Sequence, residues 1–125
     1  MKKIQTSEAP NAIGPYSQGI VAGPMVFCSG QIPLNPETGK LVEGDISEQT
    51  HRVMKNLQAV LNASGSSLNQ VVKTTILLKN LEDFKAVNEV YGSYFEEPFP
   101  ARATFEVSRL PMDVDVEIEA VAYKN

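Results

Sequence analysis

Arg102 is the residue in this chain best placed to do chemistry on a small anion, and Pro98-Phe99-Pro100-Ala101 leads directly into it. Two prolines restrict the backbone just before the arginine, so its planar guanidinium can be held ready to grip a carboxylate through two parallel N–H donors. Glu117 and Glu119 follow two positions apart in a later apolar run. That spacing projects both carboxylates from one face of a strand, as acid/base work on a bound ligand requires. A small carboxylate ligand is the chemistry these residues suggest. Two structural readings fit the same positions: an ion pair of Arg102 with Glu106 or Glu117, and charge alternation that protects a sheet edge.

The other candidates are wall and backbone elements. Tyr16 follows Gly14-Pro15, where its ring either covers a ligand or packs at a turn. Ser29-Gly30-Gln31 ends an apolar run, where glycine permits close backbone approach or marks a bulge. Asn88 interrupts the apolar stripe of a helical pattern, either facing a ligand or satisfying buried backbone groups. Cys28 alternates with Val26 and reads as an inert buried thiol. His51 has no neighbouring nucleophile and is given no catalytic role. With a single cysteine and a single histidine, neither an intrachain disulfide nor a Cys/His zinc set is available. Gly14, Gly19, Gly23 and Gly30 lack the spacing and the lysine of phosphate-binding loops. No cofactor or metal is therefore expected. A net charge of −4 and the lack of a Lys/Arg cluster argue against a nucleic-acid partner. No apolar run follows Lys2 and Lys3 or approaches membrane-spanning length, so no membrane contact and a cytoplasmic location are expected.

A chain of 125 residues suits one domain, residues 1–125, with little interior left for a private deep pocket. A site between subunits is correspondingly attractive. Gly19-Ile20-Val21-Ala22 and Met25-Val26-Phe27-Cys28 read as strands, and Pro36-Glu37-Thr38-Gly39 as a turn. Asp45 with Glu48 three residues later opens a helix, Gly65 closes it, and Val53, Leu57, Val60, Leu61 and Ser64 share its buried face. Val71 to Leu78 alternates Val72, Thr74, Ile76 and Leu78 against Lys73, Thr75 and Leu77. Asn80 is expected to cap a second helix whose stripe runs through Leu81, Phe84, Val87, Asn88, Tyr91 and Phe95. Period two over Arg102 to Ser108 puts Arg102, Thr104, Glu106 and Ser108 on one face; over Val114 to Tyr123 it groups Glu117 and Glu119 with Asp115, Val121 and Tyr123.

The elements predict an α+β sandwich with two helices packed on one face of a mixed sheet. Lys73, Thr75, Leu77, Arg102, Thr104, Glu106, Glu117 and Glu119 are expected together on the opposite face. Such a face can be solvated, yet Leu77, Val121 and Tyr123 favour its burial against another copy.

Five segments, taken in order, resemble one family: Ile13-Gly14-Pro15-Tyr16-Ser17-Gln18-Gly19, Ser29-Gly30-Gln31-Ile32-Pro33, Val87-Asn88-Glu89-Val90-Tyr91, Pro100-Ala101-Arg102 and Glu106-Val107-Ser108-Arg109-Leu110-Pro111. The chain is similar over essentially its whole length to the Rid (YjgF/YER/UK) family, and most similar to its RidA branch, through Arg102. The resemblance implies a chorismate-mutase-like, YjgF-like fold assembled as a homotrimer with ligand sites between subunits. It implies hydrolytic deamination of reactive 2-imino acids, such as 2-iminobutanoate and 2-iminopropanoate, to 2-keto acids and ammonia. It further implies that Arg102 clamps the substrate carboxylate and Glu117 activates water. Tyr16, Ser29, Gly30, Asn88 and Thr104 would bind or enclose the substrate. Many RidA members carry cysteine where this chain has Thr104, which leaves imine hydrolysis intact because that reaction needs no thiol nucleophile. The alternative is a small-carboxylate-binding regulatory protein without turnover. A third reading is a ribonuclease or holdase-type protein, a role also suggested for relatives, and the acidic net charge argues against RNA binding.

Overall fold

The computed structural model describes all 125 residues. In chain order the elements are β1 (Lys2–Ile4), β2 (Gly19–Ala22), β3 (Met25–Gln31), α1 (Ile46–Ser64), β4 (Val71–Leu78), α2 (Phe84–Gly92), β5 (Ala101–Glu106) and β6 (Val116–Tyr123). The strands form one six-stranded sheet in the order β1-β2-β3-β6-β4-β5. Every pairing is antiparallel except β4 with β5, which are joined through α2 as a parallel pair requires. The mixed sheet with two helices is as expected.

Helix α1 begins where the Asp45 carboxylate accepts the Glu48 N–H at 2.9 Å, satisfying one of the backbone donors that a helix start leaves unpaired. It ends at Gly65, whose φ of 85° is the left-handed cap that glycine adopts without strain. Val53, Leu57, Val60, Leu61 and Ser64 are all buried, packed on β3, β6 and α2. They meet Val26, Ile76, Leu78, Val116, Ile118 and Ala120 from the sheet in a single core. Asn56 is fully buried on the same helix, and its amide donates to the carbonyls of Ile32 and Leu34, pinning the loop after β3 to the helix.

Two features of the sheet depart from simple alternation. Val71 pairs with Ala122 but Lys73 pairs with Val121, so a bulge inserts Val72. Val71 turns into the core while Val72 is 41% exposed, and Val72 does not share a face with Thr74. The second departure concerns β5. Its parallel register aligns Thr74 with Arg102, Ile76 with Thr104 and Leu78 with Glu106, and aligned residues on neighbouring strands point to the same side. Thr74, Ile76 and Leu78 are buried beneath the helices. Arg102, Thr104 and Glu106 therefore lie on the helix side, not with Lys73, Thr75, Leu77, Glu117 and Glu119. Alternation within one strand cannot reveal which of its faces meets the core; the cross-strand register does.

Asn80 caps a 3-10 turn, Leu81–Asp83, that leads into α2, accepting the Glu82 N–H at 2.9 Å. Val87, Tyr91 and Phe95 are buried as expected, but Leu81 is exposed. Strand β1 was not visible in the sequence because three residues are too few to display a period. Gln18 secures the segment behind it by accepting from Thr6 N–H at 2.7 Å and donating to the Pro10 carbonyl at 2.8 Å. Asp45→Ala is expected to lower stability by about 1 kcal/mol, seen as an earlier denaturant midpoint with an unchanged slope.

Candidate functional site

Arg102 sits on edge strand β5 and reaches across the face covered by α2. Three side chains one helical turn apart receive it: Phe84, Asn88 and Tyr91, at i, i+4 and i+7. Arg102 Nη1 donates to Asn88 Oδ1 at 2.6 Å. The guanidinium carbon lies 5.2 Å from the Phe84 ring centroid and 5.1 Å from that of Tyr91, within cation–π range of both. No carboxylate of the chain pairs with Arg102, since the sole ion pair is Lys79 with Asp113. Glu106, the nearest candidate along the strand, accepts the Leu81 N–H instead. Arg102 opens into a cleft of about 430 Å³ lined also by Asn88, Tyr91, Phe99 and Pro100. Asn88 is exposed and holds the arginine; it satisfies no buried backbone group.

The other candidates lie elsewhere. Between Cys28 and Gln31 the pairing of β3 with β6 shifts, so Ser29 and Gly30 form a bulge against β6. The Glu117 side chain lies across it. A Cβ on Gly30 would overlap Glu117 Oε2, so this carboxylate position demands glycine. Burial, and secondarily the charge of Glu119, raises the Glu117 carboxyl above its ordinary value. Ser29 donates its hydroxyl to the Ser17 carbonyl and its N–H to the Gln18 carbonyl at 3.0 Å, tying the Tyr16 loop to the bulge. Tyr16 is exposed and, with Gly30, Ile32, Pro111 and Met112, lines a second cleft of about 290 Å³. Met112 and Asp113 both adopt φ of 55°, a left-handed turn rare for residues other than glycine.

Within the chain these two groups are apart. Glu117 aligns with Leu77, which aligns with Phe105, so Arg102 is two strands across and three residues along from it, roughly 14 Å at the backbone. The two side chains also leave opposite faces of the sheet. Arg102 and Asn88 are brought together; Tyr16, Ser29, Gly30 and Glu117 form the other set. Thr104 follows Arg102 on the helix side, and its Oγ1 is buried without a hydrogen-bond partner. Cys28 faces the core, where burial pushes its thiol up to about 12. No three His, Cys, Asp or Glu side chains cluster closely enough to hold a metal. In the sequence Phe84 and Tyr91 stand only as members of the α2 core stripe. The signal that could have separated them was Asn88 between them, a polar residue flanked at helical spacing by two rings.

The family profile described as Endoribonuclease L-PSP matches residues 6–124. A RutC family protein of Pyrococcus abyssi is 58% identical over 97% of this chain and 95% of its own length. The human 2-iminobutanoate/2-iminopropanoate deaminase is 46% identical over 95% of this chain and 87% of its own. The crystal structure of Escherichia coli TdcF with bound serine superposes with a TM-score of 0.95 at 43% identity, covering 100% of both chains. No helix is long and apolar enough to cross a membrane. Motifs, fold and relatives agree that the chain belongs to the Rid (YjgF/YER/UK) family, in its RidA branch.

Proposed function

We propose that this chain hydrolyses reactive 2-imino acids, 2-iminobutanoate and 2-iminopropanoate among them, to 2-keto acids and ammonia in clefts between the subunits of a homotrimer. The observation that carries the reading is Arg102: a guanidinium held by α2, free of any carboxylate of its own chain, facing an open cleft. Such a group is built for a small carboxylate. The serine bound to TdcF, an amino acid with that carboxylate, supports the same chemistry.

A ligand small enough for Arg102 cannot also reach Glu117 of the same protomer, on the far face of the sheet. The reading therefore joins Arg102 of one copy to Glu117 of another. On the open face Phe27 and Phe105 are 45% and 54% exposed, apolar surface that such a contact would cover.

In the reaction, the substrate carboxylate docks on Arg102 and the protonated imine presents an electrophilic C2. Glu117 takes a proton from water as the oxygen bonds to C2, giving a tetrahedral carbinolamine. A proton then passes to nitrogen, the C–N bond breaks, ammonia departs, and the remaining hydroxyl proton is lost to give the keto acid. A carboxyl raised toward neutral pH is a better base for this than an ordinary glutamate. Tyr16 would limit bulk water, and Thr104, its hydroxyl buried on the helix side two residues after Arg102, would stand behind the clamp. Binding without turnover, as a regulatory protein, is the second reading, favoured by the serine complex because serine holds no imine.

With 2-iminobutanoate generated from threonine by threonine dehydratase and surviving imine trapped by semicarbazide, Arg102→Ala is expected to lower kcat/KM at least roughly 100-fold while the assembly stays folded, and Arg102→Lys to recover little. Unchanged hydrolysis in either variant refutes the clamp; carboxylate binding with no wild-type turnover moves the function to sensing. Glu117→Gln is expected to lower kcat roughly 100-fold or more. Its raised carboxyl places the acid limb of the wild-type profile above the ordinary glutamate value of about 4.3; a limb at or below that value contradicts the role. The sign for stability is opposite to that of a paired carboxylate. The folded state holds the Glu117 proton more tightly than the unfolded chain, so stability is lost as pH rises through the folded value. Glu117→Gln should accordingly raise the melting temperature at neutral pH, with the gain fading on acidification.

A further inference from the structure

We infer that Phe84 and Tyr91, the latter braced by Thr74, are positioning residues that fix the plane of the Arg102 guanidinium; this rests on reading Arg102 as the carboxylate clamp. Arg102 is exposed on an edge strand, where an arginine is ordinarily free to sample many rotamers. A clamp that binds two carboxylate oxygens at once needs the opposite, one plane and one direction, before the ligand arrives.

The side chains around Arg102 supply those restraints separately. Asn88 Oδ1 takes Nη1 at 2.6 Å and fixes one donor within the guanidinium plane. The Phe84 and Tyr91 rings lie 5.2 and 5.1 Å from the guanidinium carbon and restrain how that plane can tilt. The remaining N–H groups are left for the ligand.

Tyr91 is itself held at both ends. Its hydroxyl and Thr74 Oγ1 are 2.6 Å apart and buried, and its ring packs against Phe95 with centroids 4.8 Å apart at 48°. Thr74 is the residue aligned with Arg102 on the adjacent strand. The brace thus runs from the strand beside the arginine, up through the tyrosine, and back over the arginine side chain. A weakly hydrated planar cation fits beneath aromatic rings, and a compact ammonium gains less there. The bracket therefore explains why the position calls for arginine over lysine, beyond the geometry of the ligand.

The test pairs a spectroscopic readout with binding. In arginine-labelled protein, the Arg102 Nε–Hε resonance, assigned by its loss in Arg102→Lys, is expected to be ring-shifted and rigid without ligand. Phe84→Leu should move it to the solvent-averaged position and raise the Kd for 2-oxobutanoate and the KM for the imine about tenfold. The kcat should change less than about twofold, because Phe84 touches no reacting atom. Phe84→Tyr, which keeps the ring, should restore both resonance and affinity. The inference is overturned if Phe84→Leu leaves the resonance and Kd unchanged, or if Phe84→Tyr behaves like leucine. Should Phe84→Leu fail to fold, the wild-type resonance decides alone: a mobile guanidinium in the unliganded protein overturns the bracket, and a rigid one supports it. If wild type neither binds 2-oxobutanoate nor consumes imine, the proposed function fails, while a rigid resonance that collapses in Phe84→Leu still upholds the bracket.

Discussion

The parallel pairing of β4 with β5 sets the position of everything around the arginine. Thr74 lies beside Arg102 in that register, and Thr74 is buried beneath the helices. A shift of one residue would turn Arg102 to the open face and bring Ala103 under α2. As it stands, the helix that joins the two strands also covers the face from which the arginine emerges. Phe84, Asn88 and Tyr91 can meet it only because they share the sheet-facing side of that helix. Their bonds to Arg102 and Thr74 in turn couple the helix to the strand register.

The second consequence of the register is a division of chemistry. A cation capable of gripping a carboxylate stands at one edge on the helix side, and a half-buried carboxyl with a raised proton affinity stands near the middle of the open side. Their separation prevents the two from neutralising each other within the folded chain. Within the single chain Arg102 keeps donors free, and no guanidinium lies beside Glu117 to offset the effect of burial on its carboxyl. Under the proposed function, assembly reunites them with substrate between. The bulge at Ser29 and Gly30 serves the carboxyl side by removing a Cβ where Glu117 must lie. The same bulge is tied through Ser29 to the loop carrying Tyr16.

Much of the fold was legible in the residue pattern, because its signals are local. Asp45 and Gly65 bound α1 through bonds within a few residues, and the α1 stripe reports its own buried face. The candidate residues were legible too: Gly30, Asn88, Arg102 and Glu117 carry chemistry or conformational freedom that stands out at their positions. Their arrangement was not, for identifiable reasons. Period two separates Arg102 from Ala103 but does not say which of them faces the helices, and a bulge at Val72 breaks the period without any glycine or proline to announce it.

By itself, then, the sequence determined the helices, most of the strands, the family motifs and the residues able to do chemistry. All of these depend on side-chain type and on spacing along one segment. Only the tertiary structure decided that Arg102 lies under α2 among Phe84, Asn88 and Tyr91, and that Glu117 leaves the opposite face against Gly30. Those facts depend on how β5 aligns with β4 and how β3 slips against β6. Such pairings between distant segments are settled by the packing of the whole core, which no local pattern records.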